Sequence, residues 1–207
     1  LSLALSPGKA QAQAFQATDS VVPGSATRTV TGANSETITV DTPTAVIDWT
    51  PQEDGAGDAL DFLPTGATAT FENNGSLNPG ADFAVLNRIL PSTNGNIVVM
   101  DGTVISRIVD LSNGSIESGG TVAFYSPTGL LIGGNASFDV GNLILTTLEP
   151  DLASFDAFTT GGGTLQLFGE ELSTARIRIE PGAQVTASPE NSYFAVVAAG
   201  LEMFGTT

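Results

Sequence analysis

Apolar and polar residues alternate along this chain in short runs. The clearest are 27–31 (TRTVT), 36–40 (ETITV), 68–71 (TATF), 97–100 (IVVM), 103–109 (TVISRIV) and 176–180 (RIRIE). A period of two is that of a strand, which sends successive side chains to opposite faces. Between the runs lie DGAGD, ENNGS, STNGN and LSNGS, built from residues that favour turns. The 24 glycines and 11 prolines are spread throughout and interrupt helical periodicity. Only 151–158 (DLASFDAF), with an acid at its start, and 193–203 (YFAVVAAGLEM) read as helix. The pattern predicts an all-β chain of many short strands.

Residues 118–147 (SGGTVAFYSPTGLLIGGNASFDVGNLILTT) set out how the strands are joined. Val122 and Phe124 share one face, opposite Thr121 and Ala123. A turn at Pro127–Gly129 leads to Leu130–Ile132. Gly133–Asn135 turns into Ala136, Phe138 and Val140, and Gly141-Asn142 turns into Leu143 and Leu145. Three strands and three corners take about 21 residues, within the range of one solenoid repeat. The shape Pro/Gly–Gly–small–x–apolar recurs at 78–83, 133–138 and 180–185. Alternation alone does not separate a parallel coil from an antiparallel sandwich, and both readings stand at this point.

Composition narrows the function. The formal net charge is −16, Lys9 is the only lysine, and the arginines are Arg28, Arg88, Arg107, Arg176 and Arg178. Such a chain lacks the basic footprint that nucleic acid or an anionic membrane surface requires. Cysteine and histidine are both absent. That excludes disulfides, Cys-type zinc sites and Ser-His-Asp or Cys-His nucleophiles. A Gly-Lys-Ser/Thr phosphate loop is missing as well. Residues 1–14 (LSLALSPGKAQAQA) have the form of a signal-peptide remnant, with Ala-x-Ala cleavage after Ala12 or Ala14. An ordinary N-terminal segment is the other reading of the same stretch. No run of eighteen apolar residues follows, so a membrane-spanning helix is not expected.

One ordered series goes further. VIDWT (46–50), ATFENNGS (69–76) and LNRI (86–89) precede GSIESGGTVAFYSPTGLLIGGNASFDVGNLILTT (114–147). The series resembles the N-terminal domain of two-partner secretion exoproteins, the filamentous-haemagglutinin or haemagglutination-activity family, over about residues 30–205. Ser126-Pro127-Thr128-Gly129 occupies the slot of the family's Asn-Pro-Asn-Gly turn, with hydroxyls in place of both amides. Leu77-Asn78-Pro79-Gly80 is a faint echo of its second motif. The resemblance implies a right-handed, single-stranded parallel β-helix with extra N-terminal capping strands, spanning residues 15–207. It implies a secreted or cell-surface, adhesin-like protein that passes through the periplasm and is recognised by an outer-membrane β-barrel transporter with periplasmic POTRA domains. A receptor would be engaged by the region downstream. The residues expected to be read by the transporter are Ser126, Pro127, Thr128 and Gly129, with Asn87 and Arg88. Segments 27–31 and 36–40 are candidates for strand addition to the partner. The N-terminal strands and residues 193–204 are expected to shield the coil's ends. Thr207 is not followed by a polar closing lap, so a longer parent is expected.

The remaining chemistry is carboxylate chemistry. Asp48, Asp54, Asp58, Asp61, Asp151, Asp156, Glu170 and Glu171 are the candidates for a carbohydrate-active site, but their spacing forces no pair together. A carbohydrate-binding or carbohydrate-active β-helix is therefore the alternative function, and neither an enzyme nor a cofactor is expected. Asp54, Asp58 and Asp61 in EDGAGDALD are weak calcium candidates by ligand type. Asn73, Asn74, Asn94, Asn113 and Asn135 read as corner residues, which tolerate left-handed backbone. Trp49 reads as a cap or core anchor ahead of a sugar platform.

Overall fold

The computed structural model of the chain describes residues 13–52, 59–92, 96–169 and 173–204. β1 (Ala17–Val21) and β2 (Ala26–Gly32) come first. Five laps of three strands follow. The first is β3 (Ser35–Val40), β4 (Thr44–Pro51) and β5 (Leu60–Leu63). The second is β6 (Thr68–Asn73), β7 (Ala84–Ile89) and β8 (Val98–Met100). The third is β9 (Thr103–Asp110), β11 (Thr121–Tyr125) and β12 (Leu130–Ile132), with β10 (Ser115–Ser118) folded back on β9 as a hairpin. In the fourth, β13 (Ser137–Val140) and β14 (Asn142–Thr146) are followed by an excursion through β15 (Glu149–Pro150), α1 (Leu152–Gly161) and β16 (Leu167–Phe168) before β17 (Arg176–Ile179). The fifth is β18 (Gln184–Ala187), β19 (Phe194–Val197) and β20 (Gly200–Met203).

Strands of successive laps pair in parallel and build three sheets. The first-visited sheet runs β2-β3-β6-β9-β13-β18, the second β1-β4-β7-β11-β14-β19 and the third β5-β8-β12-β17-β20. Among the described residues antiparallel pairing is confined to β1 on β4, β2 on β3, β10 on β9 and β15 on β16. The coil reading therefore holds over the sandwich, and no sheet closes into a barrel. Val122 pairs with Leu143, the 21-residue lap the sequence suggests. Val85 pairs with Val122 and Leu143 with Phe194, so other laps are longer and carry insertions.

Inward side chains stack in columns. Ala45, Val85, Val122 and Leu143 form one, and Leu60, Val98, Leu130 and Ile177 another. Phe15, Phe62, Phe71, Phe124 and Phe138 fill the lumen between sheets, all essentially unexposed. The second sheet is apolar on its outer face too, as parallel strands covered on both sides tend to be. There Val46, Leu86, Ala123 and Ile144 form a smaller core under Phe155 of α1.

The expected helix at 151–158 is α1, with the Asp151 side chain accepting from the Ser154 amide as N-cap. The expected helix at 193–203 is wrong. Those residues are β19 and β20, because Phe194–Val197 complete the second sheet beside β14 and tertiary pairing overrides a weak helical propensity. Residues 193–204 consequently do not shield the end of the coil. They are its last lap, and β18, β19 and β20 have no further neighbour among the described residues. The N-terminal strands do cap: β1 and β2 close two sheets, and Gln16 donates to the Phe62 carbonyl beside the third at 2.8 Å. Most of the 1–14 segment lies outside the described residues, but Ala14 is fully buried and its amide donates to Glu36 at 3.0 Å.

Candidate functional site

The Ser126–Gly129 corner joins the second sheet to the third. Ser126 and Gly129 are buried, Thr128 is half-buried and Pro127 is exposed. The Ser126 and Thr128 hydroxyls lie 3.1 Å apart, and the Ser126 carbonyl accepts from the Gly129 amide at 3.4 Å. Gly129 has φ +109°, and a Cβ there would stand 2.8 Å from the Arg176 carbonyl oxygen of the next lap. A left-handed backbone and this close approach both demand glycine. The hydroxyls thus serve local turn geometry, and Pro127 with part of Thr128 is what the corner shows to solvent.

Asn87 and Arg88 are adjacent on β7, so they face opposite ways. Asn87 is inward and fully buried. Its Oδ1 accepts from Trp49 Nε1 at 3.0 Å, and its Nδ2 donates to the Ala123 carbonyl at 3.1 Å. It ties three laps together inside the core and presents nothing to a partner of the folded domain. Arg88 is outward, bound in a fork to Asp48 at 2.6 and 2.7 Å, with Glu149 3.7 Å away. The hydrogen bonds to Asp48 raise its pKa and hold its charge, against the opposing effect of burial. Register sets Arg88 beside Tyr125, the residue before Ser126. The structure therefore brings Arg88 beside the Ser126–Gly129 corner and leaves Asn87 in the lumen. Sequence reasoning missed the Asp48–Arg88–Glu149 group. The available signal was that aligning AVIDW (45–49) on VLNRI (85–89) sets opposite charges opposite each other.

The other candidates are dispersed. Asp151 caps α1, and Asp156 accepts from the Thr44 hydroxyl at 2.5 Å. Asp54, Asp58, Glu170 and Glu171 lie outside the described residues. Asp61 faces outward from β5; burial, and then repulsion from Asp101, raise its pKa. Among the described residues no three Asp or Glu side chains gather as a metal site would require. Trp49 is fully buried, edge-on to Phe15 at 4.9 Å, which is the core-anchor reading. The asparagines at corners act there: Asn113 accepts from Ser115, Asn74 from Ser76 and Leu77, and Asn135 donates to Asp101. Asn94 lies outside the described residues.

Of the two strand-addition segments, 36–40 is interior, between β2 and β6, whereas 27–31 lies in the outermost strand of its sheet. A second network missed by the sequence reading seals this end. Arg28 Nε and Nη2 bind Glu36 Oε2 at 3.1 and 2.8 Å, Nη1 binds Asp19 at 3.1 Å, and Nη2 reaches the Phe15 carbonyl at 2.7 Å. The guanidinium lies 4.9 Å over the Trp49 ring. Phe15 itself enters the lumen and stacks on Phe62 at 4.6 Å.

No family model matches the chain, and no curated protein is significantly similar to it. Among the described residues no helix is long and apolar enough to cross a membrane.

Proposed function

We propose that the chain is the N-terminal secretion domain of a two-partner secretion exoprotein. It folds outside the cell as a right-handed, single-stranded parallel β-helix and serves as the template on which the rest of the exoprotein coils. Right-handedness is the sense that nearly all parallel crossover connections take. An outer-membrane β-barrel transporter with POTRA domains recognises the chain while it is extended, when Ser126, Pro127, Thr128, Gly129, Asn87 and Arg88 are all within reach; once the coil forms, Ser126, Gly129 and Asn87 are buried.

One observation carries this reading: the laps stack in parallel from a closed beginning. Residues 14–40 close its beginning, and every later lap offers the next a free edge in the same register. Folding can then propagate lap by lap, as in other solenoids. Further support comes from the quoted motif, which falls on the consecutive strands β11 to β14. The non-enzymatic reading is supported by three of the four described candidate carboxylates: Asp48, Asp151 and Asp156 are each held in a structural bond, while Asp61 stands apart from them on β5.

The test fuses the chain ahead of a reporter and co-expresses it with a POTRA-bearing outer-membrane β-barrel transporter encoded in the same genome. Deletion of residues 15–45 is expected to leave the reporter in the periplasm. Undiminished appearance of the reporter outside the cell would refute the proposal.

A further inference from the structure

The coil carries a second exposed edge, away from its open end. Residues 103–107 of β9 are paired inside the first-visited sheet, but the strand runs on through Asp110 and folds back as β10. The hairpin is fixed in place. Asn73 uses both ends of its amide on Val109, accepting from its N–H at 2.5 Å and donating to its carbonyl at 2.9 Å. Gly75 packs so closely that a Cβ there would meet Val109 Cγ1 at 2.8 Å and Leu111 Cγ at 3.1 Å. Among the described residues, the far edge of β10 pairs with no strand.

Three of the large exposed apolar side chains gather on this one feature. Ile116 on β10 is 68% exposed, Leu111 at the hairpin turn 62%, and Leu77 on the turn beside it 66%. Ile116 lies directly across from Val109, so both occupy one face of the hairpin. Glu117 alternates to the other face. The half-buried Asp110 and the exposed Glu117 have no cation partner among the described residues. Ser112 holds Asp110 charged: its hydroxyl and amide hydrogen bonds depress the carboxyl's pKa. The arginines are engaged elsewhere. All five arginines are in ion pairs, including Arg107, which pairs with Asp139.

We propose that the β10 edge is a docking site for an extended polypeptide whose apolar residues alternate with lysine or arginine. An unpaired strand edge accepts a further strand through its backbone groups. The period of two sorts the added side chains, apolar ones lying against Ile116 and basic ones against Glu117. An acidic or uniformly polar segment fits neither face. The inference goes beyond secretion and stands or falls independently of it.

The experiment titrates the purified chain with acetylated eight-residue peptides alternating valine with lysine, or valine with glutamate. Binding is read by fluorescence anisotropy and located by amide hydrogen exchange. The Val/Lys peptide is expected to saturate and to protect residues 115–118. Glu117→Lys is expected to weaken that peptide about fivefold, within the range of a cross-strand charge pair, and to strengthen the Val/Glu peptide. Ile116→Glu, a change at an exposed position that leaves the fold intact by circular dichroism, is expected to abolish binding. Protection appearing at β18–β20 instead, equal binding of both peptides, or indifference to Glu117→Lys would each overturn the proposal.

Discussion

The two ends of the coil meet the same problem in different ways. Each end leaves strand edges and the floor of an apolar lumen facing water. At the beginning, Phe15 turns into the lumen and Arg28 with Glu36 lies across it beside Trp49. At the other end Phe194, Leu201, Met203 and Phe204 are 37–62% exposed, and the last strands carry only a partial core. The first end is covered by a buried aromatic and a buried ion pair, and among the described residues the last lap has no such cover. The difference leads us to expect that truncating a side chain costs more stability at the start of the chain than in the last lap.

The strongest test of that contrast is Phe15→Ala against Phe194→Ala. Removing a buried phenylalanine costs about 3–5 kcal/mol, whereas truncating the partly exposed Phe194 should cost well under half of that. Urea unfolding midpoints compare them directly, and equal losses would mean that the two ends are equivalent. Next comes Glu36→Ala. Its carboxylate is unexposed and Arg28 is nearly so, and deleting one partner of a buried pair costs about 3–5 kcal/mol. Its counterpart at the open end is Glu202→Ala, which removes an exposed pair with Arg176 and should cost less than about 1 kcal/mol. Replacing Arg28 and Glu36 together by methionine and leucine should recover most of the loss, since the penalty lies in the orphaned charge.

Smaller effects come from the acids between the ends. Asp101 links three laps, accepting from Thr65 and from both the amide and the side chain of Asn135. Burial opposes its charge, but these bonds outweigh burial and its folded pKa lies below the ordinary value. Its contribution is therefore present above the unfolded carboxylate pKa and is lost as pH falls through the folded one. Asp61 has the opposite sign. Its folded pKa is raised, so its charge costs stability at neutral pH and the cost disappears on acidification. Asp61→Asn should raise the midpoint slightly at pH 7 and leave it unchanged at pH 3, whereas Asp101→Asn should lower it at pH 7 and have a smaller effect at pH 3. Midpoints measured at both values check the pair, and identical pH responses would remove the distinction.

Much of the coil was legible because the lumen enforces alternation. Ile38 and Val40, Val85 and Ile89, and Val122 and Phe124 must all point inward, and a period of two is visible in any short window. The tight corner at Pro127–Gly129 was legible for the same local reason. The 193–203 segment was misread because its alanines suit a helix in isolation, and only pairing with β14 and β17 makes strands of it. Asn87 and Arg88 were picked out together through the LNRI segment of the resemblance, and the alternation of a strand then sends Asn87 into the lumen and Arg88 outward.

The sequence by itself determined strands, turns, the overall acidity and the absence of thiol and imidazole chemistry, since these follow from local pattern and composition. Tertiary structure alone decided which polar groups meet: Arg28 with Glu36, Asp48 with Arg88, Asn73 with Val109, Thr65 and Asn135 with Asp101. Such partners depend on lap register, and the laps differ in length because the 74–83 turn, the β9–β10 hairpin and the α1 excursion are inserted at different corners. No fixed spacing along the chain records that register; it is set where the stacked inward columns fill the lumen.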